Sequence, residues 1–409
     1  MSQTQTDILI SGGGVAGLTA ATAFGAAGYS VICVDPEPPV TDAADPAADL
    51  RTTAFLQPAR DLLQAAGLWD HLARHATALQ IMRIVDAGGA SQEPRQIKDF
   101  DAADISDQPF GWNLPNWLVR REILARLTDL PNVSFRPGMA TTAILTRTTE
   151  ARVTLSDGST VVAKLAIAAD GRNSTLRDAL NIPVRTLRYG QKALTFAVTH
   201  KIPHQNISTE VHRSGGPFTL VPLPDRDGLP CSAVVWMEHG AQVQRLAALP
   251  VAEFEDAINA RSCLLLGPLT LASARSQWPI ITQIAARMTG QRTALMAEAA
   301  HVLPPIGAQG LNTSLADLAC LLELARTHDL GSAAMLDAYH RQRHPDITAR
   351  VLGIDALNRA AMAGSAPLRD LRAAGLNALY AVTPVRKALM KAGLGLRQRC
   401  AEAHPTRVP

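Results

Sequence analysis

Three glycines near the start of the chain, Gly12, Gly14 and Gly17, have the spacing that handles a pyrophosphate. They separate an apolar run, Asp7-Ile8-Leu9-Ile10, from a stretch of small residues that begins at Val15 and Ala16. Gly12 permits a tight turn after a strand. Gly14 lets the backbone approach the phosphates. Gly17 lets helix and strand pack closely, and the helix N-terminus faces the negative charge. Asp35 closes the next apolar run, where an acidic side chain holds a ribose hydroxyl. A glycine-rich turn with no ligand has no need of that aspartate. The pattern specifies a dinucleotide and leaves FAD and NAD both open.

Two later segments set polar groups beside turn formers. Ala169-Asp170-Gly171 closes the apolar run 165–168. Ala297-Glu298 leads to His301 and then to Pro304-Pro305-Ile306-Gly307-Ala308-Gln309-Gly310-Leu311-Asn312. Two prolines and two glycines make a stiff, close-fitting loop able to lie along a flat ring. A helix expected from Ser314 onward turns its N-terminus toward that ring and favours negative charge there. His301 invites a reading as general base. Arg51, in Arg51-Thr52-Thr53-Ala54, and Arg121, in Arg121-x-x-Leu124, offer positive charge. Arg120 is the alternative to Arg121, and a surface ion pair is the plain alternative for each.

Taken together, these segments resemble the flavoprotein aromatic hydroxylases of the para-hydroxybenzoate hydroxylase superfamily. There a Gly-x-Gly-x-x-Gly start, a central Asp-Gly and a late Gly-Asp before Pro-Pro-x-Gly define the FAD fold, and the three positions recur here in order. Residues 218–224, residues 232–236, Arg343-His344-Pro345-Asp346, Asp355-x-x-Asn358-Arg359 and residues 384–390 extend the resemblance over nearly the whole chain. They narrow it to the ubiquinone-biosynthesis FAD-dependent hydroxylases. Two departures stand out. Ala297-Glu298 replaces Gly-Asp, adding a Cβ and a methylene where the resemblance implies contact with the ribityl chain, and Ser314 replaces a glycine. Both bear on cofactor affinity.

The resemblance implies FAD held by Gly12, Gly14, Val15, Ala16, Gly17, Asp35, Arg51, Arg121, Asp170, Gly171, Glu298, Pro305, Gly307, Gln309, Gly310, Leu311 and Asn312, with Pro304, Pro305 and Gly307 along the flavin. It implies O2 as co-substrate and a flavin C4a-hydroperoxide that hydroxylates an electron-rich phenol, so that the cofactor carries the chemistry. His301 then packs behind the flavin. The implied substrate is a polyprenylated phenol of ubiquinone biosynthesis, and a multiprotein complex of that pathway is a candidate partner; no nucleic acid is implied. No second nucleotide fingerprint marks the electron donor, so NAD(P)H and a separate reductase stay open. Three other readings also stay open. An NAD(P)-dependent dehydrogenase leaves Asp170-Gly171 and the proline loop unexplained. An FAD hydroxylase for another aromatic, or a non-catalytic scaffold with a weakened FAD site, does not.

The elements that must position these residues are legible in outline. Strands are expected at 7–10, 30–34, 80–86, 152–156, 160–168, 193–199, 218–223 and 231–237, and helices at 15–27, 57–66, 69–75, 117–129, 251–261, 314–328 and 333–359. Residues 38–49 read as a loop and 87–110 as turn-rich. The tail 368–399 reads as two helices broken at Pro384. The fold class is α/β. A Rossmann-type FAD-binding domain is discontinuous, 1–180 plus 281–350. A substrate domain with a separate antiparallel sheet spans 181–280 with part of 80–115, and 351–409 form a C-terminal helical region.

Composition agrees with a globular α/β protein: 47% of the 409 residues are apolar, and 18% charged, too few for a disordered chain. Cys33, Cys231, Cys263, Cys320 and Cys400 are scattered without a Cys-x-x-Cys pair, which points to reduced, inert thiols of a cytoplasmic protein and to no metal site. The charge-free run 8–34 is long enough to span a membrane, but six glycines divide it and no basic start precedes it, so neither a span nor a targeting signal is expected. From Arg359 to Pro409 nine Lys/Arg face two Asp/Glu, while the chain as a whole carries only +3. That tail is either a solvated face or a surface for anionic lipid, the latter implying peripheral contact with a bacterial inner membrane.

Overall fold

The glycine-punctuated run at the start folds as strand, helix and strand. In the computed structural model, which describes residues 3–45, 47–89, 93–213 and 215–396, Gln3–Ser11 pairs in parallel with Val31–Asp35 across the helix Val15–Ala26. That helix is buried from Val15 to Gly25, which its small side chains allow. The strands belong to a mainly parallel sheet ordered Thr293–Leu295, Thr160–Ala168, Gln3–Ser11, Val31–Asp35, Val133–Pro137. Its main core continues into the helices Asn116–Leu127 and Gln309–Thr327.

A second, nine-stranded sheet is built around Val184–Thr199, Leu229–His239, Pro217–Arg226 and Ile207–His212. One of its faces, with Phe196, Val211, Phe218 and Trp236, packs against the helices Gly240–Ala248 and Val251–Ser262. The sheet is antiparallel except where Ile207–His212 runs parallel to Ile81–Asp86. A small third sheet, Thr52–Leu56, Gly111–Pro115 and Thr77–Leu79, touches the second along Pro217–Arg226.

Several elements differ from the sequence reading. The turn-rich stretch 87–110 contains the strand Gln96–Asp101, and Ile207–His212 and Ser276–Ala285 are strands as well. The helix expected from Ser314 begins five residues earlier, at Gln309; the residue before it, Ala308, is left-handed (φ +55°) and turns the chain there. The tail forms Ala366–Ala381 and Thr383–Leu394, broken just before Pro384; residues 397–409, with Cys400, lie outside the described residues. Cys33 and Cys231 are buried, whereas Cys263 and Cys320 are partly exposed.

The C-terminal helices lie along the second sheet's edge. Arg372 reaches Asp86 at 2.7 Å, Tyr380 donates to the carbonyl of Asp99 at 3.1 Å, and Arg386 pairs with Asp104 at 3.1 Å. They cover the edge strand Gln96–Asp101, which would otherwise offer open backbone groups for pairing.

Candidate active site

The sharp turn at Gly12 (φ +109°) brings the chain against Ala169, so close that any side chain there would overlap the Ala169 carbonyl. Gly17 lies directly beneath, against the Gly12 carbonyl. Gly14 is different: a Cβ on it would meet nothing, because it faces a cavity of about 710 Å3 between the two large sheets. Val15, Ala16 and Asp35 line the same end. Asp35 also fixes the turn, accepting from the amides of Gly13 (2.5 Å) and Glu37 (2.9 Å).

Asp170 and Gly171 extend this wall. Oδ2 of Asp170 accepts from the Leu176 amide at 3.2 Å, but Oδ1 is buried without a partner. Burial pushes this carboxyl above its ordinary range, against the hydrogen bonds from Ser174 and Leu176.

The opposite wall is the proline loop. Pro304, Pro305, Gly307, Gln309, Gly310 and Leu311 all line the cavity. Gln309–Thr327 is a 19-residue helix with no side-chain cap at its start, so its first amide groups and its dipole favour negative charge at the cavity. Glu298 lines the cavity too and leans on Arg172 at 3.3 Å. His301 reaches the cavity but is committed: its Nε2 lies 2.6 Å from Asp317 Oδ2, and both side chains are buried.

Asp317 anchors a buried chain of charges. Its Oδ1 accepts from Arg343 at 2.8 Å, Arg343 donates to Asp346 at 2.9 Å, and Arg350 bridges Asp346 (3.1 Å) to the Gln309 amide oxygen (2.8 Å). Gln309 in turn donates to the carbonyls of Gly307 and Gly393, each at 2.9 Å. Burial works against ionisation of Asp317, but the His301 and Arg343 charges outweigh it and hold the carboxyl below the usual range.

Arg51 grips Asp49 through two hydrogen bonds of 2.7 and 2.8 Å, and its guanidinium lies 4.2 Å from the ring centroid of Trp278. A strap is thereby drawn across the cavity to the second sheet. Burial would raise Asp49, yet Arg51, Asn116 and Arg120 outweigh it and leave it below the carboxylate range.

Three of the residues expected at the cofactor stand off the cavity. Gly17 supports Gly12 from behind. Asn312 ties the proline loop to the strand Thr52–Leu56, accepting from the Leu56 amide (2.9 Å) and donating to the Ala54 carbonyl (2.7 Å). Arg121 is turned away, bonded to Glu122 at 2.8 Å and stacked on Trp117, while its neighbour Arg120 lines the cavity with a buried, unpartnered Nε. One helical step rotates a side chain by about 100°, which is why Arg120 lines the cavity and Arg121 does not.

These features fit a dinucleotide with a flat ring: an open cradle at Gly14, an unpartnered carboxylate oxygen at Asp170, an unpartnered guanidinium nitrogen at Arg120 and a helix N-terminus across the cavity. Residues 5–352 match the family described as FAD binding domain. The chain belongs to that family. A member 33% identical over 394 residues, a ubiquinone hydroxylase (UbiL) of Rhodospirillum rubrum, covers 95% of this chain and 89% of its own length. The 3-demethoxyubiquinol 3-hydroxylase of Escherichia coli is 25% identical and covers 97% of this chain and all of its own. The crystal structure of p-nitrophenol 4-monooxygenase PnpA from Pseudomonas putida shares the fold, with a TM-score of 0.78 at 21% identity over 98% of this chain and all of that one. This family member is an FAD-dependent aromatic-ring monooxygenase. Bound FAD supplies the electron transfer and the oxygen activation; the chain binds it, orients it and keeps water away.

Proposed function

We propose that this monooxygenase hydroxylates the aromatic ring of a polyprenylated phenol in ubiquinone biosynthesis. The observation that carries the reading is the cavity's second wall. Beyond the cofactor end, the sheet contributes Val221, Val235, Ile280, Ile281 and Met82, an apolar surface suited to a ring and the start of a prenyl tail. The relatives named for ubiquinone hydroxylation support the same reading. In this proposal residues 1–180 and 281–350 hold FAD, with Gly14, Asp35, Arg51, Asp170, Glu298 and the 304–311 loop as direct contacts and Arg120 in the place first given to Arg121. Residues 181–280 present the substrate.

No helix among the described residues is long and apolar enough to cross a membrane. The prenyl tail of the proposed substrate keeps it in lipid, so it has to be collected at a lipid surface. Leu368, Leu371, Leu379, Val385 and Leu389 on the last two helices and Val382 between them are exposed, and we assign them, with Lys391, to peripheral contact with the inner membrane. Deleting the gene and identifying the quinone precursor that accumulates tests the function. A polyprenylated phenol lacking one ring hydroxyl is the expected result, and unchanged ubiquinone with no accumulated phenol refutes it.

A further inference from the structure

The cavity face of the second sheet carries a carboxyl that the cofactor end does not use. Strand alternation and cross-strand register set Glu210 beside Thr219, Thr219 beside Val235, and Val235 beside Thr195, one row across four strands, and all four line the cavity. The neighbouring residues Val211, Phe218 and Trp236 point into the core on the other face. Glu210 is only 6% exposed. Its Oε1 lies 2.7 Å from Nε2 of His212, two residues along the strand and on the same face. With Oε1 so held, Oε2 is the oxygen left for a ligand.

A second group nearby asks for the same partner. Asn113 is fully buried, lines the cavity and donates through Nδ2 to the Pro222 carbonyl at 2.9 Å, while its Oδ1 has no partner. A buried acceptor without a partner, as at Asn113, is costly unless a ligand brings a donor to it. A hydroxylated ring does so. Among the described residues no tyrosine lines this cavity, so the carboxyl is the group in place to take a phenolic proton.

We propose that Glu210 is a catalytic residue that accepts the proton of the substrate's phenolic hydroxyl, with His212 as its positioning residue and Asn113 Oδ1 as a second hydroxyl acceptor. This rests on the hydroxylase reading above. As oxygen is delivered to the ring, the phenolic O–H bond breaks, its electron pair moves toward the ring to make a carbonyl, and the proton passes to Glu210. Loss of the hydrogen from the newly hydroxylated carbon then restores the aromatic ring, and the carbonyl oxygen takes a proton back. The reduced flavin of the established activity supplies two electrons to O2; the O–O bond breaks as the new C–O bond forms, one oxygen atom goes to the ring and the other leaves as water.

The test is a single turnover, in which FAD-loaded protein is chemically reduced, given a farnesylated phenol and mixed with oxygenated buffer. Glu210→Gln keeps the side chain's shape but cannot take the proton. It is expected to retain FAD, to lose about 100-fold in rate of product formation, and to release hydrogen peroxide instead. Across ring-fluorinated versions of the phenol the loss shrinks as the hydroxyl becomes more acidic, because a phenol that arrives ionised needs no acceptor. His212→Phe follows the same trend with a smaller loss. A Glu210→Gln rate within two-fold of the parent, or a loss constant across the series, overturns the assignment and leaves the hydroxylase reading standing. A parent protein that makes no product from any of these phenols overturns the hydroxylase reading, and this assignment with it.

Discussion

Ala297 sits at φ +54°, a left-handed conformation that costs an L-residue about 1–2 kcal/mol. Glycine avoids that cost but adds about 0.4–1 kcal/mol of unfolded-state entropy. Ala297→Gly is therefore expected to stabilise the apoprotein by about 0.5–1 kcal/mol, read as a raised midpoint in urea; an unchanged or lowered midpoint contradicts this. The placement of other residues at this scale was legible from sequence because it is local. Gly12, Gly14 and Asp35 act within one strand-turn-helix unit, and spacing alone places them. Arg120 against Arg121 was not decidable in that way, since both sit on one helix and only the packing of Asn116–Leu127 selects the one that faces inward. Glu210 and Trp278 gave no signal at all. A polar residue on a strand that faces a ligand breaks the alternation by which strands are recognised.

At the scale of elements, the helix Gln309–Thr327 is held by charge at its core-facing side. Asp317 is fully buried between His301 and Arg343, and removing one member of such a set strands the others. Asp317→Asn is expected to cost about 3–5 kcal/mol. The pH dependence has a definite sign. The folded-state pKa is depressed below the unfolded value of about 3.9, so on acidification the unfolded chain takes up the proton first. The stabilisation is complete above about pH 5 and is withdrawn as pH falls through about 4 toward the folded pKa. Denaturant midpoints between pH 3 and 7 should fall more steeply on the acid side in the parent than in Asp317→Asn, and parallel curves exclude the linkage. The sequence marked Arg343 and Asp346 as part of a family pattern, but not their connection to His301, which closes only when two helices and a proline loop meet.

For the molecule as a whole, half of the C-terminal basic charge that can be followed is tied up in ion pairs. Arg359, Arg372 and Arg386 pair with Asp355, Asp86 and Asp104. The tail's charge was legible in the sequence; that these residues clamp a sheet edge was not, because their partners lie some 280 residues earlier for Arg372 and Arg386. In the proposed membrane contact, the exposed leucines therefore carry more weight than net charge. Leu371→Glu with Leu389→Glu is expected to abolish flotation with vesicles of phosphatidylglycerol and phosphatidylethanolamine while leaving bound FAD intact, and undiminished flotation refutes the assignment. The order of strands in the first sheet has one more consequence, in time rather than space. Thr160–Ala168 waits for its outer neighbour Thr293–Leu295, and the proline loop follows still later. A ribosome adding about 5–20 residues each second takes roughly 6–25 s to cover that gap. Through that interval the nascent chain carries an unfinished sheet edge and half a nucleotide site, so the full cofactor cavity can exist only after the proline loop has been made.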